Sequence, residues 1–326
     1  VPDTLRLPER SLRLAFFGTP DIARVILERL LAAKSDEIVF VVCQPDRPKG
    51  RGKKVAPPPV KEAAVARGVE VLQPLKLRDG ELAQKMKAAN LDLAIVVAYG
   101  RILPEDVFAA PQFGTWNVHA SLLPRHRGAS PIQHAILQGD GETGVTLMQL
   151  SAGLDEGPML LTRRLQLSGE ETGGALTDTL AKLGGDLLIE GLIRAKKEGL
   201  TVLAQDGEKA SYAPLLEKTH GEIDWTAPAE AIARRIRAFS PWPGAFVVQK
   251  DGQPLKIIRG RAVANRDGAM SPGSVVAAGD SLIVATGEGA LQVLEVQPPG
   301  KRAMGIGEYL RGSGRHLQIG APFPGR

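Results

Sequence analysis

The run LRLAFFGTPDIARVILERLLAAKSDEIVFVVC, residues 12–43, decides the fold. Its ends, LRLAFF (12–17) and EIVFVVC (37–43), are short apolar segments, and DIARVILERLLAA (21–33) between them carries a helical pattern. Strand, helix and strand in this order form one βαβ unit, and repeated units of this kind build a parallel sheet. The pattern continues outward through VKEAAVARG (60–68), VEVLQP (69–74), a polar helical stretch around Glu81 to Ala89, LDLAIVVA (91–98), a proline-bounded helix near Glu105, and TWNVH (115–119). The first part of the chain is therefore expected to be a Rossmann-like α/β domain with a parallel sheet. In open sheets of this kind ligands collect outside the carboxyl ends of the strands, where Gly100, Asn117 and His119 fall. GVTLMQL (144–150) is expected to lead into the loop of Asp155 in the same way. A helix from about Gly174 to Lys197, apolar at Leu176, Leu180, Leu183, Leu187 and Leu188, closes this domain.

After Gly199 the composition changes. TVLAQDGEKASYAPLLEKTHGEIDW (201–225) has few periodic signals, so a linker is expected over 199–217, between a first domain at 1–198 and a second at 218–326. In the second domain Ala229 to Phe239 reads as a helix. AFVVQ (245–249), PLKIIRG (254–260), GSVVAAG (273–279), SLIVATG (281–287) and ALQVLEVQ (290–297) read as short strands with Gly-rich turns. Five such runs suit a small barrel or sandwich. The final GRHLQIGAPFPGR (314–326) reads as a loosely held tail.

A chain of 326 residues, 43% hydrophobic and 24% charged, has enough apolar material for two cores. The formal charge of +5 leans toward a polyanionic partner, although the same excess spread evenly only keeps a protein soluble. Its position must decide. The single cysteine, Cys43, excludes an intrachain disulfide and a multi-cysteine zinc site, suits a reducing cytoplasm, and reads as a buried strand residue. The opening VPDTLRLPERSLR, with Asp3, Glu9 and two prolines, reads as neither signal nor transit peptide, and no apolar run is long enough to span a bilayer.

Three motifs carry chemistry. In FFGTPDIA (16–23), Gly18 falls in the turn, Thr19 at the expected N-cap, Pro20 at the first helical position and Asp21 in the first turn. The motif lacks the GxGxxG spacing, and Asp21 would repel a pyrophosphate, so a helix start is expected here in preference to a dinucleotide site. The segment QPDRPKGRGKKVAPPPVK (44–61) offers Arg47, Lys49, Arg51, Lys53 and Lys54 among prolines and glycines. It reads as an irregular basic loop: either a solvated charge run or, given its place after a strand, a contact for nucleic-acid phosphates. Finally, Asn117, His119 and Asp155 supply an amide, an imidazole and a carboxylate with no nucleophile. A period of two turns Asn117 and His119 to one face, where they would suit a reaction that develops an oxyanion while the substrate brings the attacking atom. Asp155 would orient and charge the imidazole. Taken alone, a hydrogen-bonded structural pair explains Asn117 and His119 equally well.

NVHASLLPRHRGASPIQ (117–133) and GLDEGPM (153–159) closely resemble the folate-dependent formyltransferases. QPDRPKGRGKK (44–54), VVAYGRILP (96–104), ASPIQHAI (129–136), IDW (223–225) and AFSPWPGAF (238–246) extend the likeness over nearly the whole chain, toward the branch that acts on tRNA. The resemblance implies transfer of the formyl group of 10-formyltetrahydrofolate to the amino group of methionyl initiator tRNA, for translation initiation in the cytoplasm. It implies that Asn117 and His119 meet the formyl oxygen while Asp155 acts on His119 and assists proton removal from the amine. Ser121, Leu122, Leu123 and Pro124 would border the folate, with Arg101, Leu103, Gly153 and Leu154 along the pterin. Arg47, Lys49, Arg51, Lys53 and Lys54 would form the insertion that enters the acceptor stem, Arg51 foremost. Lys218 would add to the tRNA contacts of an OB-like second domain. No metal and no protein partner is implied, and His134, His220 and His316 receive no role.

The chain departs from the family at His126, where tryptophan is usual, and at Leu215, where lysine is common. His126 reads as a packing or surface substitution, and Trp242 as a packing hinge in preference to a base-stacking platform. Two competing readings are a formyltransferase for a small amine, such as glycinamide ribonucleotide or an amino sugar nucleotide, and an inactive tRNA-binding relative. The basic loop and second domain oppose the first; intact Asn117, His119 and Asp155 oppose the second.

Overall fold

Parallel pairing organises the first half of the chain, as a computed structural model shows for residues 4–49, 54–264 and 270–323. Close contacts divide it into two compact units. The first holds residues 1–131, 142–166 and 177–214; the second holds 132–141, 167–176 and 215–326.

The strands of the first unit are β1 (Thr4–Leu5), β2 (Arg13–Gly18), β3 (Glu37–Val42), β4 (Arg47–Lys49), β5 (Lys54–Ala56), β6 (Glu70–Leu72), β7 (Leu93–Val97), β8 (Thr115–His119), β9 (Glu142–Gln149), β10 (Met159–Gln166) and β11 (Leu200–Thr201). Helices α1 (Asp21–Ala33), α2 (Pro59–Val65), α3 (Glu81–Ala88), α4 (Glu105–Phe108), α5 (Pro131–Gln138) and α6 (Gly173–Lys197) lie between them in sequence; α5 from Ile132 on and α6 up to Leu176 belong to the second unit. The main sheet has seven strands in the order β10-β9-β8-β7-β2-β3-β6. β7 and β8 are buried at every position, as strands covered on both faces must be. Alternation sorts their neighbours: Ala15 and Phe17, Phe40 and Val42, Ala94 and Val96 pack on one face with Leu82, Ala83 and Met86 of α3. Helix α1 buries Ala23, Ile26, Leu27 and Leu30, the spacing of a single helical stripe.

Four expectations change here. The sheet is mixed: β9 runs antiparallel to both β8 and β10, while the remaining pairs are parallel. The basic segment is regular at its described residues, where β4 and β5 pair antiparallel with Arg47 opposite Ala56 and Lys49 opposite Lys54. Thr19 does not cap α1. The helix starts at Asp21 behind Pro20, and the Thr19 hydroxyl instead donates to the Tyr99 carbonyl at 3.0 Å. Residues 199–217, expected as a linker, are tied to the first unit through Ala213: β11 pairs with β1, Leu203 bridges Met159, and Arg127 bridges Tyr212.

In the second unit β12 (Ala245–Val248), β13 (Pro254–Val263), β14 (Val275–Ala278), β15 (Leu282–Ala285), β16 (Ala290–Gln297) and β17 (Met304–Gly305) join α7 (Ala229–Ala238) and α8 (Ile306–Arg311). Every ladder is antiparallel, in the order β12-β13-β16-β15-β14 with β17 beside β16. Among the described residues no ladder joins the end strands β12 and β14, yet Val247 and Val275 share one core with Ile236 of α7 and Tyr309 of α8. The tail is not loose. Phe323 is 1% exposed in that core, its N–H donates to Gly273, and its ring meets Trp225 edge-on. Burying a phenyl ring contributes about 1.5–3 kcal/mol. Trp242, expected to pack, is 52% exposed. No helix among the described residues is long and apolar enough to cross a membrane.

Candidate active site

Strand β8 carries Asn117 and His119 two positions apart, and both are buried, 8% and 6% exposed. They share one partner. Asn117 Nδ2 donates to Asp155 Oδ1 at 3.3 Å, and His119 Nδ1 faces Asp155 Oδ2 at 3.6 Å, an ion-pair distance too long for a hydrogen bond. The opposite ring nitrogen, Nε2, lies 2.9 Å from the His126 carbonyl, which can only accept. Nε2 therefore carries the proton, and in the neutral ring the lone pair is on Nδ1, toward the carboxylate. The structure thus brings Asn117, His119 and Asp155 together, the first two through the strand period and Asp155 from a separate loop.

Asp155 reaches this position by a different route from the expected one. Because β9 is reversed, its carboxyl end lies beside the start of β8, where Leu150 N–H donates to the Thr115 carbonyl at 2.8 Å. The following loop returns at Pro158, whose carbonyl accepts from Gln149 N–H at 2.9 Å. Gly157 sits flush against Gln149: a Cβ there would be 1.9 Å from its carbonyl oxygen. Asp155 itself is in the left-handed region, φ 53°, a conformation that costs an ordinary residue about 1 kcal/mol or more. Its carboxylate is fixed again by Gly128, whose N–H donates to Oδ2 at 2.8 Å.

His126 is not a surface residue, and its main chain has a role of its own. It is 4% exposed and in the left-handed region, φ 58°; its N–H donates to Ser211 Oγ and its carbonyl holds His119. The side chain of residue 126 can change while this main-chain role persists. The sequence reading assigns no role to Arg127, although it lies within the 117–133 motif, nor to Thr146, Gln205 and Ser211. Thr146 on β9 donates to the Ser121 carbonyl at 2.8 Å and accepts from Leu123 N–H at 3.2 Å, so it shapes the Ser121–Pro124 turn. Arg127 is buried and Gln205 partly so, in segments without periodicity. A buried arginine must be paired, but the sequence does not name its partner.

The residues expected along the folate are divided between two other segments. Arg101 turns its guanidinium to the carbonyls of Pro74 and Leu75, at 3.2 and 3.1 Å, while Leu103 is buried. The adjacent Ile102 is 79% exposed, as are Leu75 (78%) and Leu154 (55%). Gly153 lies against the Glu156 carboxylate. Of the expected tRNA contacts, Arg47 and Lys54 are exposed on β4 and β5, Lys49 lies on β4, and Lys218 is exposed at the start of a 3-10 turn. Arg47 donates to Gln44 Oε1, and Gln44 Nε2 donates to the Tyr99 carbonyl. Arg51 and Lys53 lie outside the described residues. Among the described residues no three His, Cys, Asp or Glu side chains gather to hold a metal ion.

Comparison with known proteins identifies the family. The family model described as formyl transferase matches residues 12–192, and that of the formyl transferase C-terminal domain matches 215–314. Methionyl-tRNA formyltransferase of Myxococcus xanthus is 46% identical over 301 residues, covering 92% of this chain and 95% of the relative. That of Heliobacterium modesticaldum is 47% identical over 311 residues, covering 92% and 97%. Among solved structures, HypX from Aquifex aeolicus in complex with tetrahydrofolic acid is similar at TM-score 0.59 and 17% identity, covering 94% of this chain and 48% of HypX. This chain thus spans about half of HypX, and the likeness shows the shared fold. With both domain models matched in order and relatives nearly half identical over nine-tenths of its length, the chain belongs to the formyltransferase family, among the methionyl-tRNA formyltransferases.

Proposed function

We propose that this enzyme transfers the formyl group of 10-formyltetrahydrofolate to the amino group of methionine on initiator tRNA, and that Asn117, His119 and Asp155 perform the chemistry. The observation that carries this reading is the meeting of those three side chains without a nucleophile of the protein. The amine nitrogen attacks the formyl carbon, the carbonyl oxygen becomes an oxyanion, and the bond from carbon to N10 breaks as N10 receives the proton that the amine has given up. Asn117 uses one amide hydrogen on Asp155 and offers the other to the oxyanion. His119 Nδ1 takes the amine proton, with Asp155 Oδ2 beside the ring to balance its charge. Once protonated, Nδ1 is also a donor toward the oxygen.

Folate supplies the activated one-carbon unit. The segments assigned to it fit a ligand with ring faces to bury, because Ile102 and Leu154 hold apolar side chains in solvent next to the main chain of Arg101, Leu103 and Gly153. For tRNA, the exposed cations of β4 and β5 and Lys218 suit phosphate contact, and Arg51 and Lys53 are assigned with them. The working place of such an enzyme is the cytoplasm, where charged tRNA is used.

The deciding experiment offers charged initiator tRNA, charged elongator tRNA and a small amine such as glycinamide ribonucleotide, each with 10-formyltetrahydrofolate. Formylation of the initiator alone is expected. Formylation of the small amine alone would overturn the assignment.

A further inference from the structure

We propose that Gln205 is a positioning residue for formyl transfer, holding the main chain of Asp155 so that its carboxylate reaches Asn117 and His119. The inference rests on the catalytic reading of Asp155. The side-chain amide of Gln205 has every hydrogen-bonding position occupied. Its Nε2 donates to the carbonyls of Asp155 and Gly157, both at 2.8 Å. Its Oε1 accepts from Nε and Nη2 of Arg127 at 3.0 and 2.9 Å. The opposite orientation would set an oxygen against two carbonyls and an NH2 group against a guanidinium, so chemistry fixes the amide this way.

The contacts form a frame around the carboxylate. Arg127 is buried, and its third link, from Nη1, goes to Glu156 Oε1 at 3.2 Å, the residue between the two carbonyls that Gln205 holds. Arg127 is itself anchored through its main chain to Ser211 and Ala213. The chain on either side of Arg127 supplies the His126 carbonyl to His119 and the Gly128 N–H to Asp155. One segment, 205–213, therefore holds both arms of the site: the one that orients the imidazole and the one that bears the carboxylate. Asp155 is left-handed at φ 53°, a conformation that needs such support. The Gln205 amide grips the main chain on both sides of Glu156 while accepting from Arg127.

The test uses the full-length chain with Gln205→Glu, Gln205→Ala and, as reference, Asp155→Ala, measuring kcat, KM for each substrate and the thermal midpoint. Gln205→Glu keeps an acceptor for Arg127 but turns an oxygen toward the two carbonyls. Its midpoint should stay near that of the wild type while kcat falls about ten- to a hundredfold, with both KM values within about twofold. Gln205→Ala should show the same split with a lower midpoint. Wild-type kcat in Gln205→Glu would overturn the inference, since a residue that only anchors Arg127 would be rescued there. If Gln205→Glu does not fold, Gln205→Ala decides: a raised KM at unchanged kcat counts against positioning. Near-normal turnover in Asp155→Ala would instead remove the catalytic reading beneath it.

Discussion

The main-chain N–H of Gly128 donates to Oδ2 of Asp155 at 2.8 Å, the same oxygen that faces the imidazole of His119. The geometry demands glycine twice over. Residue 128 has φ 117°, and a Cβ there would lie 2.7 Å from the Ala213 carbonyl oxygen. Gly128→Ala is therefore expected to cost about 1–3 kcal/mol of stability and to loosen the carboxylate. A lower thermal midpoint with reduced kcat would show it; an unchanged midpoint would contradict the geometry.

Removing Asn117 or Asp155 should act on the transition state rather than on binding. Asn117→Ala and Asp155→Ala are each expected to lower kcat by about 10²–10⁴ while leaving tRNA affinity essentially intact. Single-turnover rates and tRNA binding measured on the same preparations separate the two effects, and comparable losses in both would point to damage of the fold.

The cations of residues 47–54 should register through salt. Arg47→Ala, Arg51→Ala and Lys54→Ala are expected to weaken use of tRNA and to reduce the slope of log affinity against log salt by about one for each phosphate no longer neutralised. A slope unchanged in all three would identify these residues as a solvated face.

Acid should unfold the first unit partly through Asp92. Its side chain is 4% exposed, accepts from both terminal nitrogens of Arg10 and from Arg13 N–H, and is held below the ordinary carboxylate range chiefly by the Arg10 hydrogen bonds. A depressed folded-state value means the stabilisation is complete above the unfolded pKa of about 3.9 and is lost as pH falls through the folded value. Asp92→Asn should be about 1–3 kcal/mol less stable at pH 7, and the difference should shrink below about pH 4. Parallel stability curves for the two proteins over that window would refute the assignment.

Cys43, fully buried after β3, has its thiol pushed up to about 11 by burial. It should resist iodoacetamide at pH 8 in the native protein and react promptly in denaturant. Rapid native labelling would show that the end of β3 opens.

Much of this fold is legible in the sequence because periodicity survives tertiary packing. The strand and helix order of the first unit, the long α6 and the short strands of the second unit announce themselves by spacing. The reversal of β9 does not, since a strand buried on nearly all sides reads the same in either direction. The strand pairing at Arg47 is masked by proline and glycine, which normally signal irregular chain. Phe323 stands among turn-forming residues whose composition suggests a loose end. In the site, Asn117 and His119 are readable as neighbours on one strand, and family likeness supplies Asp155. Gln205 and Arg127 are not readable, because they meet across 78 positions of sequence and neither belongs to a repeating pattern.

The dependence on residues 205–213 also sets an order in time. Chains are made from the amino end, so β8, with its amide and imidazole complete, leaves the ribosome well before Gln205 is polymerised. Until the later segment arrives, Asp155 lacks the Gln205 grip on its main chain and His126 its anchor at Ser211. A product ending before residue 205 would hold Asn117, His119 and Asp155 without the contacts that fix the main chain of Asp155 and of His126.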